Sequence, residues 1–127
     1  MGHVTGIDPE RLLLGWGIAL LAVSALLGFV QQRHRAQPEA FARWRLVHNG
    51  GTAGAVQLLG LAAVWGHFGR GPGFTLLAGG LVTATVAFFL GPLAQALNLR
   101  RTATAILTAG AVVALPSYVA LPIVLVL

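Results

Sequence analysis

Apolar positions dominate four long stretches of the chain that contain no Asp, Glu, Lys or Arg, namely 12–32, 46–69, 71–99 and 102–127. Each stretch is long enough to cross a hydrocarbon core, which takes about 20 helical residues. Lipid offers the backbone no hydrogen-bond partners, so segments that cross it form helices. The pattern predicts an all-α integral membrane protein, with one transmembrane domain over 1–127. The predicted helices cover 12–31, 46–67, 73–98 and 102–126.

Polar residues separate these stretches only briefly. The second loop is the Gly/Pro turn GRGPG at 69–73, and the third is NLRR at 98–101, which leaves 32–45 as the only sizeable loop. Short loops make successive helices antiparallel neighbours. The chain is therefore predicted to form an up-down four-helix bundle.

Small residues recur on the second and third helices, where they allow helix backbones to approach closely. They include a GxxxG pair, Gly50 and Gly54, and a series on the third helix, Gly80, Ala84, Ala87 and Gly91. These two faces are candidates for contact between subunits of a homo-oligomer.

Composition and charge agree with a membrane protein. Of 127 residues, 57% are hydrophobic and 9% charged, and the absence of cysteine excludes disulfides and thiolate metal ligands. The net charge of +5 is explained by where the arginines lie, so nucleic acid is not an expected partner. Loops one and three carry six of them, Arg33, Arg35, Arg43, Arg45, Arg100 and Arg101. The positive-inside rule places these loops in the cytoplasm, in a multi-pass protein of the inner or plasma membrane.

His48 is the strongest candidate for chemistry. Trp44 and Trp65 are separated by about 31 Å of helix and are predicted to mark the two membrane interfaces, so His48 lies one turn inside the first. His67 is about 28 Å away along the same helix and cannot share a metal with it. The predicted helices contain no carboxylate or lysine, which argues against proton-coupled transport.

The surroundings of His48 suit haem. A neutral imidazole is a good axial ligand for haem iron. Gly51 and Thr52 belong to a run of small residues that leaves room for a flat cofactor, and the guanidinium groups of Arg43 and Arg45 can bind its propionates. A single histidine near a helix end is also compatible with an ordinary hydrogen-bonding role.

The segment PEAFARWRLVHNG resembles a motif of the styrene oxide isomerase family, small membrane proteins with four transmembrane helices. The residues that carry the resemblance are Pro38, Glu39, Phe41, Ala42, Arg43, His48, Asn49 and Gly50. Weaker similarities lie on the third and fourth helices, at Leu76, Leu77, Gly79, Ala114, Pro116 and Tyr118.

The resemblance implies a haem b isomerase. Members bind haem b between the subunits of a homotrimer, and His48 would be the axial ligand. Ferric iron acts as a Lewis acid on a hydrophobic epoxide, which opens to a carbonyl product without net redox change. This chain has Gly54 where the family has an asparagine, and it has no Tyr, Asp or Glu on the third helix.

Only amide and hydroxyl side chains then remain as candidates for handling the substrate. They are Asn49, Gln57 and Tyr118. The arginine distribution also places both termini outside the cytoplasm, whereas the family resemblance implies the reverse. Two alternatives stay open: a haem carrier or sensor without isomerase activity, and a cofactor-free structural protein that binds partners through its GxxxG surface.

Overall fold

The computed structural model describes residues 6–126, apart from the side chain of residue 125. These residues contain no strand and form four helices, α1 (Pro9–Arg33), α2 (Pro38–Val64), α3 (Pro72–Ala96) and α4 (Arg100–Val126). A short 3-10 helix, Trp65–His67, follows α2 directly. The predicted all-α class with four helices is confirmed.

Local sequence signals mark the helix ends. Each of the first three helices has a proline in its first turn, where the missing N–H costs nothing. Asp8 caps α1 by accepting a hydrogen bond from the backbone N–H of Glu10 at 3.2 Å. Gly69 and Gly71 have φ angles of 128° and 141°, so the turn before α3 needs glycine. Asn98 has φ 63° and ends α3 in the left-handed conformation.

The predicted first loop, 32–45, is wrong in length, because only four residues, 34–37, separate α1 from α2. The segment PEAFARWR is helical. Pro38 suits the first helical position, Glu39 favours the positive end of the helix dipole, and no Gly or Pro follows until Gly50. The segment was predicted to be a loop because it contains charged residues. A helix can nevertheless continue through charged turns where it extends beyond the lipid.

Successive helices run antiparallel. A glycine near the start of one helix faces a residue near the end of the next helix, and a glycine near its end faces a residue near the start of the next. Between α1 and α2 the facing pairs are Gly17–Leu59 and Gly28–His48. Between α3 and α4 they are Gly80–Ser117 and Gly91–Leu107. The up-down topology is therefore confirmed, and α4 packs on α3 with little contact to α1 or α2.

Buried apolar residues of the first three helices form the core. One cluster contains Leu13, Leu58, Ala62, Trp65, Ala78, Leu81 and Val82, and a second contains Leu20, Val47, Ala55 and Phe89. Trp65 is only 1% exposed and stacks on Phe68 with ring centroids 5.1 Å apart. The prediction that Trp65 marks a membrane interface is therefore wrong, because its ring lies inside the protein.

Three helices of the described chain are long and apolar enough to cross a membrane: α1, α3 and residues Arg100–Val124 of α4. The fourth, α2, does not meet this criterion. Its first two turns carry Glu39, Arg43 and Arg45, and amide and imidazole groups interrupt its apolar part. The most polar helix of the bundle is thus the one that carries His48.

Candidate functional site

The imidazole of His48 is held against α1. Its Nδ1 lies 2.6 Å from the backbone carbonyl oxygen of Ser24. A carbonyl oxygen only accepts hydrogen bonds, so Nδ1 carries the proton and donates it. Nε2 is then the basic nitrogen of the ring, as in metal-binding histidines whose second nitrogen is fixed by a carbonyl.

The α2 groove, about 520 Å³ in volume, opens beside this ring on the outer face of α2. It is lined by His48, Asn49, Thr52, Ala53, Val56 and Gln57. The Thr52 hydroxyl donates to the backbone oxygen of His48 at 2.9 Å, so its hydrogen is already used within the helix. All six lining residues come from α2, so the groove has no opposite wall among the described residues.

Gln57 lies at the far edge of the α2 groove. Its side-chain amide donates a hydrogen bond to the Tyr118 hydroxyl and thereby joins α2 to α4. No described residue accepts the Tyr118 proton, so the phenol can donate to a ligand.

Tyr118 also belongs to a second, almost wholly apolar groove of about 610 Å³, the α4 groove. Its lining residues are Phe88, Ala111, Ala114, Leu115, Tyr118, Val119, Pro122 and Ile123. The Gln57–Tyr118 pair lies at the edge of both grooves. Gln57 is nine residues past His48, so the pair lies about 14 Å from His48 along the axis of α2. Asn49, by contrast, lies at the same end as His48.

Two residues predicted to contact the cofactor lie elsewhere. Gly51 is buried between Ser24 of α1 and Phe89 of α3, and it does not line the α2 groove. The Arg43 guanidinium donates to the Asn98 side-chain oxygen at 3.1 Å, across the gap between α2 and the end of α3. Arg45 is exposed one turn before His48.

The small residues of α2 and α3 serve different contacts. On α3, Gly80, Ala87 and Gly91 face Ser117, Gly110 and Leu107 of α4. The prediction that the α3 face is available for subunit contact is therefore wrong, because α4 covers it within the chain. On α2, a Cβ at Gly50 or Gly60 would meet nothing within 4 Å. Gly54, the second glycine of the GxxxG pair, instead packs within the chain, because a Cβ there would lie 2.6 Å from Thr85 of α3 and 3.3 Å from Leu20 of α1. The predicted pair therefore does not form one outer surface, and only Gly50 and Gly60 of these glycines face open space.

Sequence reasoning missed Ser24 and Gly28, the two α1 residues that hold the imidazole. They are spaced four apart, so they lie on one face of α1. That spacing of small residues is a known signal of close helix contact, and it could have directed attention to α1. Nothing in the sequence, however, says which side chain of another helix fills the space.

The site offers a single protein ligand. Within residues 6–126 no group of three or more His, Cys, Asp or Glu side chains could hold a metal ion. Bare zinc or iron sites need three or four protein ligands. A metal that arrives in a macrocycle already has four ligands and needs only one axial partner. A single imidazole could serve as the one protein ligand of a metal that a macrocycle already holds.

Comparisons with protein-family models, curated proteins and solved structures find no match to this chain.

Proposed function

We propose that the protein is a haem b-dependent membrane isomerase that opens a hydrophobic epoxide to a carbonyl compound without net redox change. The observation that carries the proposal is the pose of His48. Its Nδ1–H is committed to the Ser24 carbonyl, and the ring borders an open groove on the outer side of α2. This pose makes Nε2 the atom available to a metal.

Three residues would hold the cofactor. His48 supplies the axial nitrogen, Thr52 lines the groove one turn on, and Arg45 lies one turn before it, where a propionate carboxylate can pair with its guanidinium. Bound ferric haem supplies a Lewis acid for the oxygen of an epoxide.

The predicted catalytic residues divide into two positions. Asn49 lies beside His48 and can donate its amide N–H to an oxygen that develops negative charge. Tyr118 and Gln57 lie about 14 Å further along α2. At that distance the pair would not reach an epoxide oxygen activated near His48, so it would orient the remainder of the substrate: the phenol can donate to a second oxygen where the substrate has one, and the apolar α4 groove accommodates hydrocarbon.

A second copy of the chain closes the site in this proposal. The α2 groove is open on one side, and Gly50 and Gly60 leave the outer face of α2 free of contacts within 4 Å. Amide groups facing lipid are unfavourable, whereas small residues let another helix approach. The family resemblance suggests three subunits.

The arginine-rich end of the bundle would face the cytoplasm. The hydrogen bond between Arg43 and Asn98 joins the first turns of α2 to the α3–α4 connection, so the start of α2 and that connection lie at one end. Six of the eight arginines belong to that end, which the positive-inside rule assigns to the cytoplasm.

The first test is an absorption spectrum of the protein purified from haem-supplemented cells. A Soret band with one haem per chain or fewer supports the proposal, and a colourless preparation rules out both haem-based functions and favours the cofactor-free alternative. The ferric protein is then incubated with an aryl epoxide such as styrene oxide, before and after dithionite reduction. Aldehyde formation that stops on reduction supports the isomerase. Haem without turnover favours a carrier or sensor.

A further inference from the structure

Two residues of α1 contact the imidazole of His48. The Ser24 carbonyl oxygen lies 2.6 Å from Nδ1, and a methyl group placed on Gly28 would lie 3.2 Å from Cε1 and 3.3 Å from Nδ1. We infer that Ser24 and Gly28 form a seat that positions His48 and fixes it as the Nδ1–H tautomer. This α1 seat rests on the proposed function only where haem is concerned, because the tautomer is a property of the protein alone.

The carbonyl supplies the polar half of the α1 seat. Its backbone oxygen would normally accept only the N–H of the residue four positions on, and here it also accepts the imidazole N–H. A hydrogen bond in a low-dielectric interior is strong, and leaving either group unpaired is costly. A neutral ring that donates through Nδ1 has its lone pair at Nε2, so the α1 seat decides which nitrogen can bind a metal.

Gly28 supplies the space for the ring. Because glycine has no Cβ, the imidazole lies directly against the α1 backbone at this point. A branched side chain at the same position would occupy the volume of the ring and push Nδ1 away from the Ser24 carbonyl. Gly28 is thus a positioning residue, whereas Gly15 on the same helix faces open space and provides a matched control.

The Ser24 side chain has a separate role. Ser24 is 0% exposed, and its hydroxyl has no hydrogen-bond partner among the described residues. It is directed toward Gly51. Since the carbonyl belongs to the backbone, Ser24→Ala keeps the acceptor and should leave the His48 tautomer unchanged.

The decisive experiment measures the tautomer without cofactor. Haem-free protein carrying ¹⁵N-histidine is studied in detergent micelles by two-bond ¹H–¹⁵N correlation, and the His48 signals are assigned by their loss in His48→Ala. Wild type, Gly15→Leu and Ser24→Ala should show the Nδ1–H form. Gly28→Leu should shift His48 to a mixture or to the Nε2–H form. A wild-type His48 in the Nε2–H form, or an unchanged tautomer in folded Gly28→Leu, overturns the inference.

A second experiment uses haem as the readout. His48→Gly leaves the α1 seat empty, so added imidazole can coordinate iron and still donate its N–H to the Ser24 carbonyl. 1-Methylimidazole has no N–H to donate. The concentration of imidazole that restores the Soret band should be about fivefold to tenfold lower than the concentration of 1-methylimidazole that does so. This ratio corresponds to the free energy of one hydrogen bond. Equal potency of the two rings overturns the role of the carbonyl. Absence of haem from the wild type would defeat the proposed function and leave the tautomer measurement intact.

Discussion

The seam between α1 and α2 and the seam between α3 and α4 use glycine in the same way but fill the space differently. Each seam has an aliphatic side chain beside one glycine, Leu107 beside Gly91 and Leu59 beside Gly17. Each also has a polar group beside another glycine. At the α3–α4 seam the Ser117 hydroxyl lies beside Gly80 and donates to a carbonyl of its own helix at 2.8 Å. At the α1–α2 seam the imidazole of His48 lies beside Gly28 and donates across to the other helix. An aliphatic side chain would pack there without burying a polar ring. What the imidazole adds is chemistry rather than packing.

The two seams also differ in what they leave uncovered. On α3, Gly80 and Gly91 face side chains of α4, whereas Gly50 and Gly60 on the outer face of α2 meet nothing within 4 Å. Both halves have an open groove, but the α4 groove is almost wholly apolar, whereas the α2 groove contains imidazole and amide groups. The following changes test that contrast.

Replacing His48 should have the largest effect. His48→Leu makes the α1–α2 seam resemble the α3–α4 seam, so the folded protein should be as stable as the wild type to within about 1.5 kcal/mol. Haem should be lost completely, because no other described histidine adjoins the groove. The measurements are the Soret absorbance of the purified protein and its thermal unfolding. His48→Ala should also lose haem, but it leaves a cavity at the α1–α2 seam and should therefore be less stable than His48→Leu.

His67→Ala is the control for that change, since His67 is exposed at the other end of α2. It should keep a normal Soret band. A His48→Leu variant that still binds one haem per chain would show that the ligand lies elsewhere.

The second largest effect should come from Gly51. A methyl group there would meet the buried Ser24 hydroxyl and lie 2.8 Å from the Phe89 ring, so three helices would have to shift. Overpacking of this kind costs about 1–3 kcal/mol. Gly51→Ala should therefore lower the unfolding temperature in detergent, and Ser24→Ala in the same chain should restore part of the loss.

Gly50→Ala is the matched control, because its methyl group would meet nothing within 4 Å. It should be neutral or stabilise the helix by up to about 1 kcal/mol. Equal destabilisation by both variants would mean that a partner copy packs on Gly50 as tightly as α1 and α3 pack on Gly51.

Much of the fold was predictable from the sequence because long apolar stretches without charged residues predict helices. The four helices and their up-down order followed from charge-free runs and short turns. The start of α2 was not predictable in this way, since Arg43 and Arg45 lie on a helical turn that carries charge. Trp65 was misplaced for a related reason: an aromatic residue at a helix end can face protein as well as lipid.

The site was predictable only in part. His48 stood out because polar residues are rare in apolar helices and because of the segment around it. The roles of its neighbours depended on facing directions that sequence spacing does not fix. Arg43 turns toward Asn98 of another connection, and Gly51 packs inward rather than lining the groove. Ser24 acts through its backbone carbonyl, which leaves no signature in the side-chain pattern.

Changing Tyr118 should have a smaller effect that separates binding from chemistry. Tyr118→Phe removes the donor at the far end of the groove and keeps the ring. In turnover of an epoxide that carries a second acceptor oxygen, KM should rise about tenfold, the equivalent of one hydrogen bond to substrate, while kcat stays within about twofold. With styrene oxide, which has no second oxygen, both constants should stay within about twofold. Asn49→Leu should show the opposite pattern, with a lower kcat. A fall in kcat alone for Tyr118→Phe would place the phenol at the reacting oxygen.

The smallest effect should separate the two arginines that precede His48. Arg43 is held by Asn98 at 3.1 Å, whereas Arg45 is exposed and has no partner among the described residues. An exposed ion pair contributes up to about 1 kcal/mol. Arg45→Ala should therefore weaken haem binding by about fivefold at low salt, and the difference should shrink as salt screens the pair.

Arg43→Ala should change haem affinity by less than about twofold, because releasing the guanidinium from Asn98 offsets any pairing with a propionate. Its measurable consequence should be a slight loss of stability, and Arg70→Ala, at an exposed position at the opposite end of the bundle, should change neither quantity. A larger loss of affinity in Arg43→Ala than in Arg45→Ala would mean that Arg43 leaves Asn98 when the cofactor binds. The polar end of the α1–α2 seam would then rearrange on loading.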